Sequence, residues 1–220
     1  MRFRPLLLAC LFSLLFGIPK ESKECVTYYK SASLVKKPVN INQYDSNIWN
    51  TALIWHGKIS VRDFAVMLKG QCMQESEMNA LAMRNELGYL SGKYAKTVNK
   101  TARALQKFIQ IEYGEYFSVY TLSTDLSRSF GLLQIMGQRA YELGWRGDSF
   151  YDMETGLFNV NIGLFYGAKL AYQNLERYNY DFTKAISAYN AGSYTARNSD
   201  YVSNVFKYMK RFEHDFDKFH

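Results

Sequence analysis

The 220-residue chain has few of the side chains on which much enzyme chemistry depends: three histidines, three cysteines and three prolines. It carries no CxxC and no HExxH spacing, so no zinc signature is present. His214 and His220 stand in the C-terminal tail. That leaves His56 as the one candidate base for a Ser-His-Asp or Cys-His mechanism, and no such motif surrounds it. Neither GxGxxG nor the phosphate-binding GxxxxGK pattern occurs, which leaves nucleotide binding unsupported. The few prolines and 14 glycines form no linker, collagen-like or low-complexity tract. What is plentiful is aromatic: 18 Tyr, 15 Phe and 3 Trp, in a chain of formal charge +7. Such a composition suits extended polar polymers, glycans or nucleic acids, and does not choose between them. With 48% hydrophobic and 21% charged residues, the chain has enough apolar material for one or at most two folded domains.

The N-terminus reads as an address. Arg2 and Arg4 precede Leu6–Ile18, an uncharged run closed by Pro19, Lys20, Glu21 and Lys23. The run is too short for a membrane span of about 20 apolar residues. Residues 1–19 are therefore expected to be a secretory signal peptide or a short anchor. Loss of the two arginines would lower the charge to +5. Export would permit a Cys25–Cys72 disulfide, with two buried thiols as the alternative.

Residues 20–55 are polar and weakly periodic, an N-terminal lead-in. From about Asn50 the pattern is helical almost throughout. Ser60 and Asp63 make a capping-box-like start. Phe64, Met67, Leu68, Gln71, Cys72 and Glu75 then recur on one helical face, which places a carboxylate at the end of an apolar stripe. A second helix is expected over 92–111. Tyr94, Val98, Ala102, Leu105 and Ile109 form one face, and Lys93, Lys96, Lys100, Arg103 and Lys107 nearly the opposite one. That basic face suits either solvent or an anionic polymer or membrane surface. Ser118–Ser129 reads as loop, and Gly131–Met136 as extended before a short helix ending near Gly144. A long helix spans Asn159–Tyr178, with Gly163 and Gly167 allowing close approach of a neighbour. Asp181 caps another helix, ended by Gly192. The last begins at Ser199 or Asp200, with Tyr201, Val202, Val205, Phe206 and Met209 facing inward. The expected fold is mostly α, with at most a small β element.

Four segments in order carry a family resemblance: Gln74-Glu75-Ser76 with Asn79, Gly131-Leu132-Leu133-Gln134-Ile135-Met136, Ala188-Tyr189-Asn190-Ala191-Gly192, and Tyr201-Val202-x-x-Val205. The chain resembles the soluble lytic transglycosylases of murein, whose catalytic domain is goose-lysozyme-like. The resemblance implies a lysozyme-like multi-helix catalytic domain over 56–216, with a basic helical insert at about 87–125. Arg84-Asn85-Glu86 is similar to a subgroup with R-x-E after the catalytic glutamate. Two positions depart from the pattern: Leu133 stands where the family usually has Met, and Gly137 where it usually has Pro, which predicts a looser helix start.

The chemistry agrees with the residues taken alone. Glycosidic cleavage needs an acid still protonated near neutral pH, and burial on an apolar stripe moves a glutamate that way. Ordinary glycosidases need a second carboxylate, and the three downstream motifs contain none. That suits a transglycosylase, in which the C6 hydroxyl of N-acetylmuramic acid attacks its own anomeric carbon. The resemblance makes Glu75 the acid and then the base, Gln134 a substrate contact or a loop brace, and Tyr189 a hydroxyl aimed at Glu75. Asn190 either fixes backbone near Gly192 or touches sugar. Met136 and Tyr201 line the cleft or the core, and Ser76 orients the end of the glutamate's helix. Glu86 pairs with Arg84, or serves as second carboxylate if water is used. No metal and no cofactor is expected. The expected partners are peptidoglycan glycan strands and, further, a cell-envelope machine, met by an exported monomer. A muramidase of the same fold and a non-catalytic wall-binding component are the rival readings. Export argues against nucleic acid.

Overall fold

The computed structural model describes residues 40–146 and 156–219. The expected signal segment 1–19 and Cys25 therefore lie outside the described residues. Helix α1 (Asp45–Trp55) leads into α2 (Val61–Ser76), the central element. Ser60 caps α2 by accepting the Asp63 backbone N–H at 3.0 Å, as the sequence predicts. Every residue from Phe64 to Cys72 is buried, so α2 is covered on all sides and not only along the expected stripe.

The chain continues through strand β1 (Met83–Asn85), a single turn α3 (Leu87–Leu90), α4 (Ala95–Tyr113) and α5 (Val119–Leu126). Strands β2 (Arg128–Phe130) and β3 (Ile135–Met136) follow, then α6 (Gly137–Glu142). Helices α7 (Val160–Arg177), α8 (Phe182–Ala191) and α9 (Ser199–Arg211) complete the fold. The strands form an antiparallel sheet in the order β1-β2-β3, with Met83 opposite Phe130 and Ser129 opposite Met136.

The largest core gathers residues of α1, α2, α7, α8 and α9. A second, smaller core belongs to the insert: Val98, Ala102, Leu105 and Ile109 of α4 close on Leu122 and Leu126 of α5. Each large aliphatic side chain so buried contributes about 1.5–3 kcal/mol. The opposite face of α4 exposes Lys96, Lys100, Arg103 and Lys107, and Lys93 stands exposed just before the helix. Gly114, at φ 70°, ends the helix. Caps at Asn159 and Asp181 and the left-handed Gly192 fall where the sequence places them. Gly167 lets α7 meet Leu133, whose Cδ1 would lie 2.6 Å from an added Cβ.

Several expectations need correction. The lead-in ending at residue 55 is not separate from the domain, because Ile48, Trp49 and Ala52 of α1 are core residues. Ser118–Ser129 is not loop: Ser118 caps α5 through the Thr121 N–H at 3.0 Å, and β2 follows. Only Ile135–Met136 of the expected extended run is strand, since residues 131–134 form a turn. Phe206 is 37% exposed, and Tyr94 leaves the apolar face of α4 to stack on Tyr89. Cys72 is a buried free thiol, and Cys25, the partner named for it, lies outside the described residues. Gly137 does not loosen its helix. An added Cβ there would lie 2.6 Å from the Asp125 carbonyl oxygen, so the close approach of α5 excludes a larger residue.

Lys69, fully buried within α2, had no warning in the sequence. Its Nζ lies 2.6 Å from Asp45 Oδ1 and 2.5 Å from Asp215 Oδ2, donates to Asn42 Oδ1 at 2.7 Å, and sits 4.8 Å above the Phe212 ring. Burial pushes the Asp45 carboxyl up despite the pull of Lys69. This cluster fastens the start of α1 and the C-terminal segment to the central helix.

Candidate active site

Glu75 occupies the last turn of α2, with its side chain only 7% exposed. Burial raises its pKa, opposed by the Tyr201 hydroxyl, the Arg84 charge and the Asn190 side chain, and aided by the negative charge of Glu86. The C-terminal end of a helix also disfavours an anion. Tyr201, on α9, donates its hydroxyl to Glu75 Oε1 at 2.7 Å. Arg84, on β1, brings a guanidinium nitrogen to 3.9 Å from Oε2. Asn190, exposed at the end of α8, reaches the same carboxyl. Burial and the nearby Glu75 charge push the Tyr201 and Tyr189 hydroxyls well above their ordinary value, so both stay neutral donors.

The sequence reading aims Tyr189 at Glu75, and the structure corrects it: the Tyr189 hydroxyl donates to the Leu133 carbonyl oxygen at 2.8 Å. Tyr201 takes the assigned part. Gln134 is a loop brace, with its Nε2 donating to the carbonyls of Gly131 and Ala82, each at 2.9 Å. Ser76 turns inward. Its hydroxyl is buried and lies 2.8 Å from the Leu132 carbonyl oxygen and 3.0 Å from that of Cys72. The side chains of Gln134 in the turn itself, Ser76 of α2 and Tyr189 of α8 thus engage three consecutive carbonyls, those of residues 131, 132 and 133. Between them the backbone takes left-handed values at Gly131 (φ 72°) and Gln134 (φ 45°). Glycine meets the first demand without strain, whereas Gln134 needs its two side-chain bonds to hold the second.

Met136 is half-buried on β3, opposite Ser129. Glu86 does not pair with Arg84 but accepts from the Ser129 hydroxyl at 3.0 Å, while Arg84 turns to Glu75. The acid candidate, its hydroxyl donor, a cation and an amide therefore converge from α2, α9, β1 and α8. Sequence reasoning missed Arg84 as a neighbour of Glu75 and missed the partner of Tyr201. The fourth motif marked Tyr201, but periodicity gives a face and not a bonding partner.

This arrangement can present a protonated carboxylic acid at one oxygen while the other is held by a hydroxyl. No curated protein and no solved structure matched the chain. The family model for the transglycosylase SLT domain matches residues 67–210, nearly two thirds of the chain, and spans every residue of the site. With a mostly α, lysozyme-like architecture around a buried glutamate, the chain belongs to the SLT transglycosylase family, whose members lyse peptidoglycan.

Proposed function

We propose that this chain is an exported lytic transglycosylase. It would cleave the β-1,4 bond between N-acetylmuramic acid and N-acetylglucosamine and leave 1,6-anhydro ends, with Glu75 as its one acid and base. The observation that carries the reading is the Glu75 carboxyl group, buried and shifted toward its protonated form beside the Tyr201 donor. Protonated Glu75 gives its proton to the bridging oxygen as the C1–O bond breaks. The resulting carboxylate takes the proton of the C6 hydroxyl as that oxygen bonds to C1. Glu75 ends the cycle protonated, and no water is consumed. Asn190, exposed beside the carboxyl, orients sugar at the rim, and Met136 lines the cleft. Export rests on the basic-then-apolar N-terminus, and places the enzyme in the cell envelope.

One observation favours a second reading. Glu86 is close enough for its charge to act on Glu75, and a second carboxylate would allow hydrolysis by water. Mass spectrometry of sacculi digested with the purified protein separates the two. Anhydro-muropeptides are expected, and products with reducing ends would replace the proposal with a muramidase. If wall lysis continued undiminished in Glu75→Gln, neither reading of Glu75 would survive.

A further inference from the structure

Arg84 stands at the middle of β1 opposite Ser129, which in turn stands opposite Met136. Side chains alternate across a sheet, so these three and Glu86 share one face. The other face carries Phe130 and Ile135, both buried in the core, so the Arg84 face is the one turned to Glu75. Among the described residues the Arg84 side chain meets one residue, Glu75. A guanidinium nitrogen lies 3.9 Å from Oε2 and 3.4 Å from the main-chain oxygen. The first distance is too long for a hydrogen bond and the second is long for one. Glu86, two residues on along the same face, accepts from Ser129 and leaves the guanidinium alone. A guanidinium has five N–H groups in a planar fork, and this side chain is 54% exposed. Most of its donors are therefore open beside the acid. The placement has a cost for the chemistry, because a cation there favours the carboxylate form of Glu75.

We propose that Arg84 is a specificity-determining residue, whose guanidinium receives a carboxylate borne by the muramyl residue at the scissile bond. Recognition of that group rests on the transglycosylase reading of the site. The two sugar rings joined by the bond are uncharged. The anions belong to the lactyl arm on C3 of the muramyl ring, and to the peptide stem that this arm carries. A bare arm ends in its own carboxylate, and a substituted arm in those of the stem. Either presents the planar pair of oxygens that an arginine fork holds through parallel N–H···O bonds. C3 is two carbons from C1, where the bond breaks, so a cation flanking the acid is within reach of the arm. A bound anion also offsets the pull of Arg84 on Glu75, so the acid keeps its proton when the correct substrate is in place.

The test digests two kinds of sacculi with the full-length protein and with Arg84→Gln: native ones, and ones whose carboxyl groups carbodiimide and ammonia have turned into neutral amides. Arg84→Gln is expected to lower kcat/KM on native sacculi roughly five- to thirtyfold more than on amidated ones. Its effect through the charge beside Glu75 is common to both substrates and cancels in that ratio. Arg84→Lys, which keeps the charge without the fork, should fall between the two. Strands stripped of stems by an amidase tell the sources apart. As large a loss there assigns the lactyl carboxylate, and a smaller one the stem. Equal losses on native and amidated sacculi would overturn the proposal and leave Arg84 a brace for the end of α2. Failure of the underlying reading looks different, since reducing ends in place of anhydro ends change the product and not the ratio. If the parent digests neither substrate, the enzymatic reading falls and co-sedimentation decides the recognition. Arg84→Gln must then bind native sacculi more weakly, relative to amidated ones, than the parent does, and equal ratios overturn the proposal.

Discussion

Helices α2 and α4 treat their polar side chains in opposite ways. Helix α2 buries a lysine, a glutamine and most of a glutamate, and gives the lysine and the glutamate tertiary partners. Helix α4 buries four apolar side chains and leaves four cations in solvent, with Lys93 exposed just before it as a fifth. None of the five pairs with a carboxylate among the described residues. A polar group inside a core is expensive unless it is matched, so each one on α2 marks a place where something must hold or use it. An exposed charge carries no such demand, and these five cations bear on what the insert meets rather than on how it folds.

The largest effect that would test this contrast is that of Glu75→Gln. Removing the acid should lower sacculus digestion by roughly 10²–10⁴-fold, read as release of soluble muropeptides. The same variant should be more heat-stable at neutral pH. Burial raises the Glu75 pKa in the folded chain, so the folded form keeps a proton that the unfolded form releases. Stability therefore falls as pH rises between the unfolded and folded values. The gain from Gln should be full above the folded value and absent below an unfolded carboxylate value of about 4.3. A variant less stable than the parent at pH 7 would contradict this.

Lys69→Met should come next, at about 3–5 kcal/mol of folding stability, because it strands Asp45 and Asp215. Denaturant unfolding measures it, and a cost below about 1 kcal/mol would show that the cluster does not clamp α1 and the C-terminal segment. Tyr201→Phe removes a hydrogen bond to a charged acceptor, of about 1.5–3 kcal/mol. Its pH–rate profile should show the basic limb moved upward, since the carboxylate has lost its donor. The smallest change in stability per site belongs to the basic face of the insert. Replacing Lys93, Lys96, Lys100, Arg103 and Lys107 together by Gln should alter stability by no more than about 0.5 kcal/mol per site. Co-sedimentation with sacculi, whose peptide stems carry carboxylates, should weaken at low salt and match the parent at high salt. If that variant unfolded as readily as Lys69→Met, the contrast between the two helices would fail.

The sequence legible in these helices was their faces and ends. Ser60, Asp181, Gly192 and the apolar positions of α4 are local signals with local consequences. Helix α5 escaped notice because its Ser- and Thr-rich stretch also suits a loop, and Leu122 and Leu126 gain meaning only against α4. The core role of α1 was hidden because its apolar residues are spread around the helix and show no strong period. In the site, Glu75 was legible from stripe and motif together. The exchange of parts between Tyr189 and Tyr201 was not, because both lie on inward faces. Only tertiary placement decides which hydroxyl meets a carbonyl and which a carboxylate. Lys69 is the clearest such case, since its partners stand near opposite ends of the domain.

The braced turn at residues 131–134 has a consequence for how the molecule comes into being. Its restraining bonds reach back 56 residues to Ser76, back 52 to Ala82 and forward 56 to Tyr189. Contacts this distant in sequence form only after long loops have closed, so they belong late in folding. A chain that ends before α8 lacks the Tyr189 hydroxyl and cannot complete the floor beside its acid. Refolding followed by activity should therefore lag behind refolding followed by helix content. Any lytic activity is therefore expected from the finished fold and not from a partly folded chain.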